Sequence, residues 1–168
     1  HQFILQLLSF FVGSSLLLLL TPNMRIGFAN IRRGFAAKGD DIEAFIHDNA
    51  LQVLGLCETD LLKFEHPPSI PGFQCIMSKG PPHRLAVYIQ DDIKFDIVKY
   101  SGNLPAIVFK THHMTFVYAY NEFTANPYTK QRRKLTDKDR MIRVNEFLDW
   151  FALHASKQFV LMGDFNCN

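Results

Sequence analysis

The sequence closes on FVLMGDFNCN, residues 159–168. Four apolar residues, Phe159 to Met162, run straight into Gly163, Asp164, Phe165 and Asn166. The apolar run is short enough for a buried strand, and it stops on a glycine, a carboxylate and an amide. Such residues end most strands simply because they favour turns. A rigid strand end is also a good place to hold an acid and an amide facing a metal or a phosphate. The other strand ends have to decide between these two readings.

Three further polar spots stand at or near the ends of apolar runs. Asn30 follows RIGFA (25–29), Glu58 follows LQVLGLC (51–57), and Tyr118 and Asn121 lie in FVYAYNE (116–122). Between them the pattern alternates. KGDDIEAFIHDN (38–49) reads as a helix, with Asp40 as its cap, Glu43 in capping-box spacing and Ile42, Phe45 and Ile46 on one face. Pro67, Pro68 and Pro71 mark a loop, and GFQCIMS, RLAVYIQ and FDIVKYS read as strands. AIVFK and MTFVYAY form an expected hairpin turning at residues 111–113, where the lack of glycine argues against a tight primed turn. A long helix follows, with Val144, Phe147, Leu148 and Phe151 as its apolar face. Strands interleaved with helices around a hairpin-rich middle predict mixed sheets covered by helices. In such a layered fold the polar strand ends gather along one rim. Two carboxylates with amides there make an oxygen-rich site suited to magnesium or manganese.

A chain of 168 residues is long enough for one domain with a real core. Its 48% hydrophobic and 20% charged residues exclude a disordered polyelectrolyte. The formal charge is +2, but residues 130–143 (KQRRKLTDKDRMIR) carry +5 and the remainder −3. A local basic stretch of this kind fits either a polyanionic partner or a solvated surface. Cys57, Cys75 and Cys167 are widely spaced, with no zinc-ligand spacing and no disulfide framework, so a structural zinc is not expected and a reducing compartment is the default. Residues 3–20 are uncharged and apolar, yet contain Gln6, Ser9, Gly13, Ser14 and Ser15 and lack a basic start. They read as a membrane or signal segment, a buried helix, or sequence upstream of a start at Met24. The third is preferred because a strand begins at Met24.

The motifs FANIRRG, LGLCETDL, RLAVYIQDDI, VYAYNE and MGDFN, taken in this order, resemble those of the endonuclease/exonuclease/phosphatase superfamily. Within it they are most similar to the apurinic-type endonuclease domains of non-LTR retroelements. The resemblance runs from Met24 to Asn168. It implies a four-layer α/β sandwich of two mixed sheets flanked by helices, incomplete because its C-terminal part is missing. Residues 1–23 would lie outside the domain and residues 24–168 form its partial body. It implies divalent-metal-dependent phosphodiester hydrolysis by a retrotransposon-type DNA endonuclease, with Mg2+ or Mn2+ as cofactor and DNA as partner. Glu58 and Asn30 are the implied metal residues, and Asp164, Asn166 and Tyr118 the implied catalytic ones. Arg132, Arg133, Lys134 and Asn121 are candidate nucleic-acid contacts. An intracellular location, nuclear or cytoplasmic, follows, with no membrane association unless residues 3–20 form a genuine anchor. Alternatives are a phosphomonoesterase or lipid-phosphate hydrolase of the same superfamily, or a catalytically dead relic that at most binds nucleic acid.

The sequence departs from the family pattern in three places. NIRRG has an extra Arg between Asn and Gly, and Tyr120 stands where the family usually has Pro. The family's late Ser-Asp-His motif, which activates water, has no counterpart, since none of the seven histidines follows Asp164. His112 and His113 are expected at the hairpin tip, and His47, His66, His83 and His154 on surfaces or loops.

Overall fold

The computed structural model describes residues 16–21, 24–80, 82–122, 135–154 and 158–166, the first segment as backbone only. Nine strands are present among these residues: β1 (Leu16–Thr21), β2 (Met24–Asn30), β3 (Val53–Leu61), β4 (Phe73–Met77), β5 (His83–Gln90), β6 (Asp96–Ile97), β7 (Ala106–Lys110), β8 (Thr115–Tyr120) and β9 (Phe159–Asp164). Two helices, α1 (Gly39–Asp48) and α2 (Asp137–His154), and a 3-10 turn at Phe35–Ala37 complete the set.

Side-chain alternation explains the layers. On β3, Val53 and Cys57 face one way and Leu54 and Leu56 the other, all buried. A strand that is apolar on both faces belongs in the middle of a sheet covered on both sides. The same holds for β8, where Phe116, Tyr118 and Tyr120 face one cluster and Val117 and Ala119 another. The resulting sheets have the orders β1-β2-β3-β5-β4 and β6-β7-β8-β9. Both are mixed: β2/β3 and β8/β9 pair in parallel and every other pair is antiparallel. The inner cluster joins Ile26, Phe28, Val87 and Ile89 of the first sheet to Phe109, Phe116, Val160 and Met162 of the second. Ile42 and Ile46 of α1 cover the outer face of the first sheet, and Phe147 and Phe151 of α2 that of the second. The architecture is therefore the expected four-layer α/β sandwich of two mixed sheets flanked by helices.

Several local expectations change. Asp40 does not cap α1; the helix starts at Gly39, Lys38 stands at the cap without a side-chain bond, and Asp40 and Asp41 lie in the first turn. Acids there still complement the helix dipole, which is why the pattern marked the right helix. On α2, Val144, Phe147 and Phe151 are buried, whereas Leu148 is exposed and Arg140 is buried in addition. The stretch 95–101 yields only the two-residue β6. The hairpin forms as expected, β7 against β8, closed by the Thr111 N–H on the Met114 carbonyl at 2.9 Å rather than by a tight turn. Upstream of the boundary expected at Met24, β1 pairs with β2 in full antiparallel register from Leu16↔Ala29 to Thr21↔Met24. The six residues of β1 therefore add a strand to the sheet upstream of Met24.

Candidate active site

Each sheet contains one parallel pair joined by one helix, and parallel strands finish at the same end. In the first sheet Asn30 is registered with Cys57, which puts Asn30 beside Glu58. In the second sheet Tyr120 is registered with Asp164. The sheets pack so that these two ends meet. The Asn30 amide Nδ2 donates to Glu58 Oε1 at 2.8 Å. The Tyr120 hydroxyl, from the other sheet, donates to the same oxygen at 3.3 Å. The Asp164 carboxyl is raised first by burial and further by the Glu58 charge, while the Asn166 N–H and the Asn30 amide lower it.

The backbone is bent to make this possible. Between Cys57↔Leu85 and Leu61↔His83 the register slips, so residues 58–60 stand opposite Arg84 alone. Glu58 and Asp60 have φ of 57° and 50°, in the left-handed region. Arg32, Arg33 and Asn166 are left-handed too, so five of the six non-glycine residues of this kind among the described residues flank the rim. Each such residue costs about 1–3 kcal/mol and persists only where the surroundings enforce it. Here the Arg33 N–H donates to the Glu58 carbonyl at 3.0 Å, and the Arg32 N–H to Asn30 Oδ1 at 3.0 Å. The bulge takes Glu58 out of strand alternation and leaves it half-buried at the rim.

The electrostatics agree with the geometry. Burial lifts the Asp164 carboxyl above its ordinary range, and the Glu58 charge adds to this, opposed by the Asn166 N–H and the Asn30 amide. Burial raises the Cys57 thiol, and both carboxylates push it the same way. Two carboxylates at one rim favour a positive charge between them. Glu58, Asp164 and the remaining lone pair of Asn30 Oδ1 are hard oxygen donors, which fit Mg2+ or Mn2+ completed by water and phosphate oxygens. Among the described residues no group of three or more His, Cys, Asp or Glu is placed to hold a metal ion, so a closed all-protein cage is absent there.

Not every expected residue reaches the rim. Tyr118 is fully buried in the inner cluster, stacked on Phe28 at 6.1 Å and Phe109 at 6.4 Å, over the space left by Gly55. Among the described residues its hydroxyl has no hydrogen-bond partner. The phenol that meets Glu58 is Tyr120, one pleat further on. Asn121 is likewise buried and not available at the surface: its Nδ2 donates to the Phe165 carbonyl at 2.8 Å and its N–H to the Asp164 carbonyl at 2.8 Å. Asn166 Nδ2 returns a bond to the Asn121 carbonyl at 2.6 Å, so the two amides clamp the end of β9. Of the basic stretch, Arg140 is buried and Arg143 half-buried, while Arg132, Arg133 and Lys134 lie outside the described residues. His112, His113, His47, His66 and His154 are exposed, but His83 is half-buried at the start of β5, its Nδ1 2.6 Å from the Ser78 carbonyl. A cavity of about 310 Å³ lies beside the bulge, lined by Arg33, Phe35, Thr59, Asp60 and Leu61 among others. Asn30, Glu58 and Asp164 are not part of its wall.

The two mixed sheets thus bring Asn30 and Glu58 of one and Tyr120 of the other to one rim. Residues 27–168 match the endonuclease/exonuclease/phosphatase family, and the chain belongs to that family. Hydrolases of this family generally use divalent metals. The chain is similar in fold to the human Nocturnin catalytic domain with bound sulfate anion, with 14% identity, a TM-score of 0.58, and coverage of 92% of this chain and 68% of that one. A Bacteroides thetaiotaomicron endonuclease/exonuclease/phosphatase family protein gives 16% identity, a TM-score of 0.52, and 92% and 65% coverage. A 3' phosphatase from Neisseria, bound to product DNA hairpin, gives 18% identity, a TM-score of 0.52, and 85% and 58% coverage. The chain thus spans roughly three-fifths to two-thirds of the length of the structures it resembles. No curated protein matches the sequence. No helix among the described residues is long and apolar enough to cross a membrane.

Proposed function

We propose that the rim where Asn30, Glu58 and Asp164 meet is a divalent-metal phosphodiesterase site, and that the protein is a DNA endonuclease of the retroelement type. The observation that carries this is the meeting of Glu58 and Asn30, from one sheet, with Asp164 from the other. Glu58 would hold Mg2+ or Mn2+ with Asn30 alongside, and Asp164 would be the catalytic carboxylate facing them, the ion supplying charge neutralisation on the phosphate oxygens. Asn30 fixes the Glu58 carboxylate by donating to one of its oxygens. Asn166 fixes the loop after β9, and its N–H holds Asp164 Oδ1 at 3.2 Å. Burial raises the Asp164 carboxyl, which suits it to accept a proton. The resemblance assigns full activation of water to a late Asp–His pair, and no His follows Asp164 in this sequence. General-base assistance contributes about 10²–10⁴-fold, so the 168 residues by themselves should cleave poorly.

The test is nicking of supercoiled plasmid with Mg2+ and with chelator. The 168-residue chain is expected to be nearly inactive, and the chain joined to a complete carboxy-terminal half to cleave in a Mg2+-dependent way. Glu58→Gln in that longer protein should abolish cleavage. Equal cleavage by Glu58→Gln would refute the ligand. Strong cleavage by the 168 residues would refute the assignment of water activation to residues outside them. Hydrolysis of phosphomonoesters with intact plasmid would move the reading to a phosphatase.

A further inference from the structure

Arg84 is an arginine near the start of an otherwise apolar strand, and its side chain is buried. Its guanidinium pairs with Asp60 in the bulge and, through Nε, with Glu122 after β8 at 2.7 Å. All three side chains are less than a tenth exposed. The chain of charges continues outward on both sides, to Arg33 from Asp60 at 3.2 Å and to Arg143 from Glu122 at 4.0 Å. Signs alternate along this series, so each buried carboxylate lies between two cations. A buried arginine needs such partners merely to be tolerated. Two contacts go beyond tolerance. The guanidinium lies 5.1 Å from the centre of the Tyr120 ring, and Nη2 donates to the Tyr120 hydroxyl oxygen at 3.4 Å. That hydroxyl spends its own proton on Glu58 Oε1.

We infer that Arg84 and Tyr120 are positioning residues that set the Glu58 carboxylate for a divalent cation. The inference rests on the metal reading of the rim. Oε1 receives two donors, Asn30 from beside it and Tyr120 from the opposite sheet. Among the described residues no donor is aimed at Oε2. The carboxylate is thus gripped by one oxygen and presents the other. Arg84 makes the grip directional: by occupying the lone pair of the Tyr120 oxygen, it leaves the phenolic hydrogen no better acceptor than Glu58. Asp60 and Glu122 hold the guanidinium in that orientation, and both lie next to the elements that form the rim. Outer partners of metal-binding groups orient them and tune affinity, and their loss typically weakens metal binding about 10–100-fold.

The experiment titrates Mn2+ into the full 168-residue chain and reads free Mn2+ by its EPR signal. The wild-type chain should bind Mn2+ and Glu58→Gln should not. Tyr120→Phe, which removes one oxygen, should weaken binding about 10-fold with an unchanged near-UV circular dichroism spectrum. Arg84→Lys keeps the charge but loses the planar fork, and should weaken binding by a similar factor. The double variant should bind no worse than the weaker single, because both act through one hydroxyl. A purely structural Arg84 would give additive losses instead. Should Arg84→Lys lose its native spectrum, Glu122→Gln takes its place in the cycle, since it frees one side of the guanidinium. Additive losses, or unaltered Mn2+ affinity in Tyr120→Phe, would overturn the positioning role while leaving the metal site standing. A chain that binds no Mn2+, or binds it regardless of Glu58→Gln, overturns the metal reading and this inference together.

Discussion

At Tyr118 a phenol ring is wedged between Phe28 and Phe109, its hydroxyl without a partner among the described residues and its ionisation opposed by burial. A buried polar group without a partner costs about 1–3 kcal/mol. Tyr118→Phe should therefore keep or raise stability, by about 1 kcal/mol in urea unfolding, and leave Mn2+ affinity unchanged. A Tyr118→Phe chain that lost metal binding would return this residue to the site. The contrast with Tyr120 shows what the sequence could not specify. Alternation puts both tyrosines on the same face of β8, but it does not say where the opposing sheet ends. Asn30, Glu58 and Asp164 were legible because each is a polar residue closing an apolar run. Arg84 was not, because an arginine beside a strand start looks ordinary until Asp60 and Glu122 are brought beside it, and Tyr120 stood out only as a departure from the family's Pro until its hydroxyl met Glu58.

The elements were legible wherever both faces of a strand or one face of a helix were apolar, as in β3, β5, β8 and α1. Prediction weakened where edges and bulges decide. The slip at residues 58–60 leaves no pattern in the sequence, yet it is what turns Glu58 to the rim. β1 is an edge strand. We propose that the chain beginning at Met24 still folds into the four layers, with β2 as a newly exposed edge that promotes association. Its far-UV spectrum should be retained while size-exclusion chromatography shows more oligomer. Loss of the spectrum would show that residues 16–21 are needed by the core.

For the whole molecule, the deciding feature is the pair of parallel strand–helix–strand units, one in each sheet. Each unit closes over a short stretch of chain, from β2 to β3 and from β8 to β9. The rim, in contrast, needs Glu58 and Asp164 together, which lie 106 positions apart in the sequence (164 − 58). Local units can form early in folding, whereas contacts between distant segments carry the larger loop-closure cost. The Glu58–Tyr120 bond is therefore expected to form last, after the sheets have docked. A ligand that recognises only such a late arrangement slows escape from the native state more than it speeds arrival. Stopped-flow refolding and unfolding in urea should show Mn2+ reducing the unfolding rate and leaving the refolding rate unchanged. Equal acceleration of refolding would mean that the rim is already built at the barrier. The same geometry makes metal a clock for this protein: half-life in the presence of Mn2+ would report how often the two sheets part.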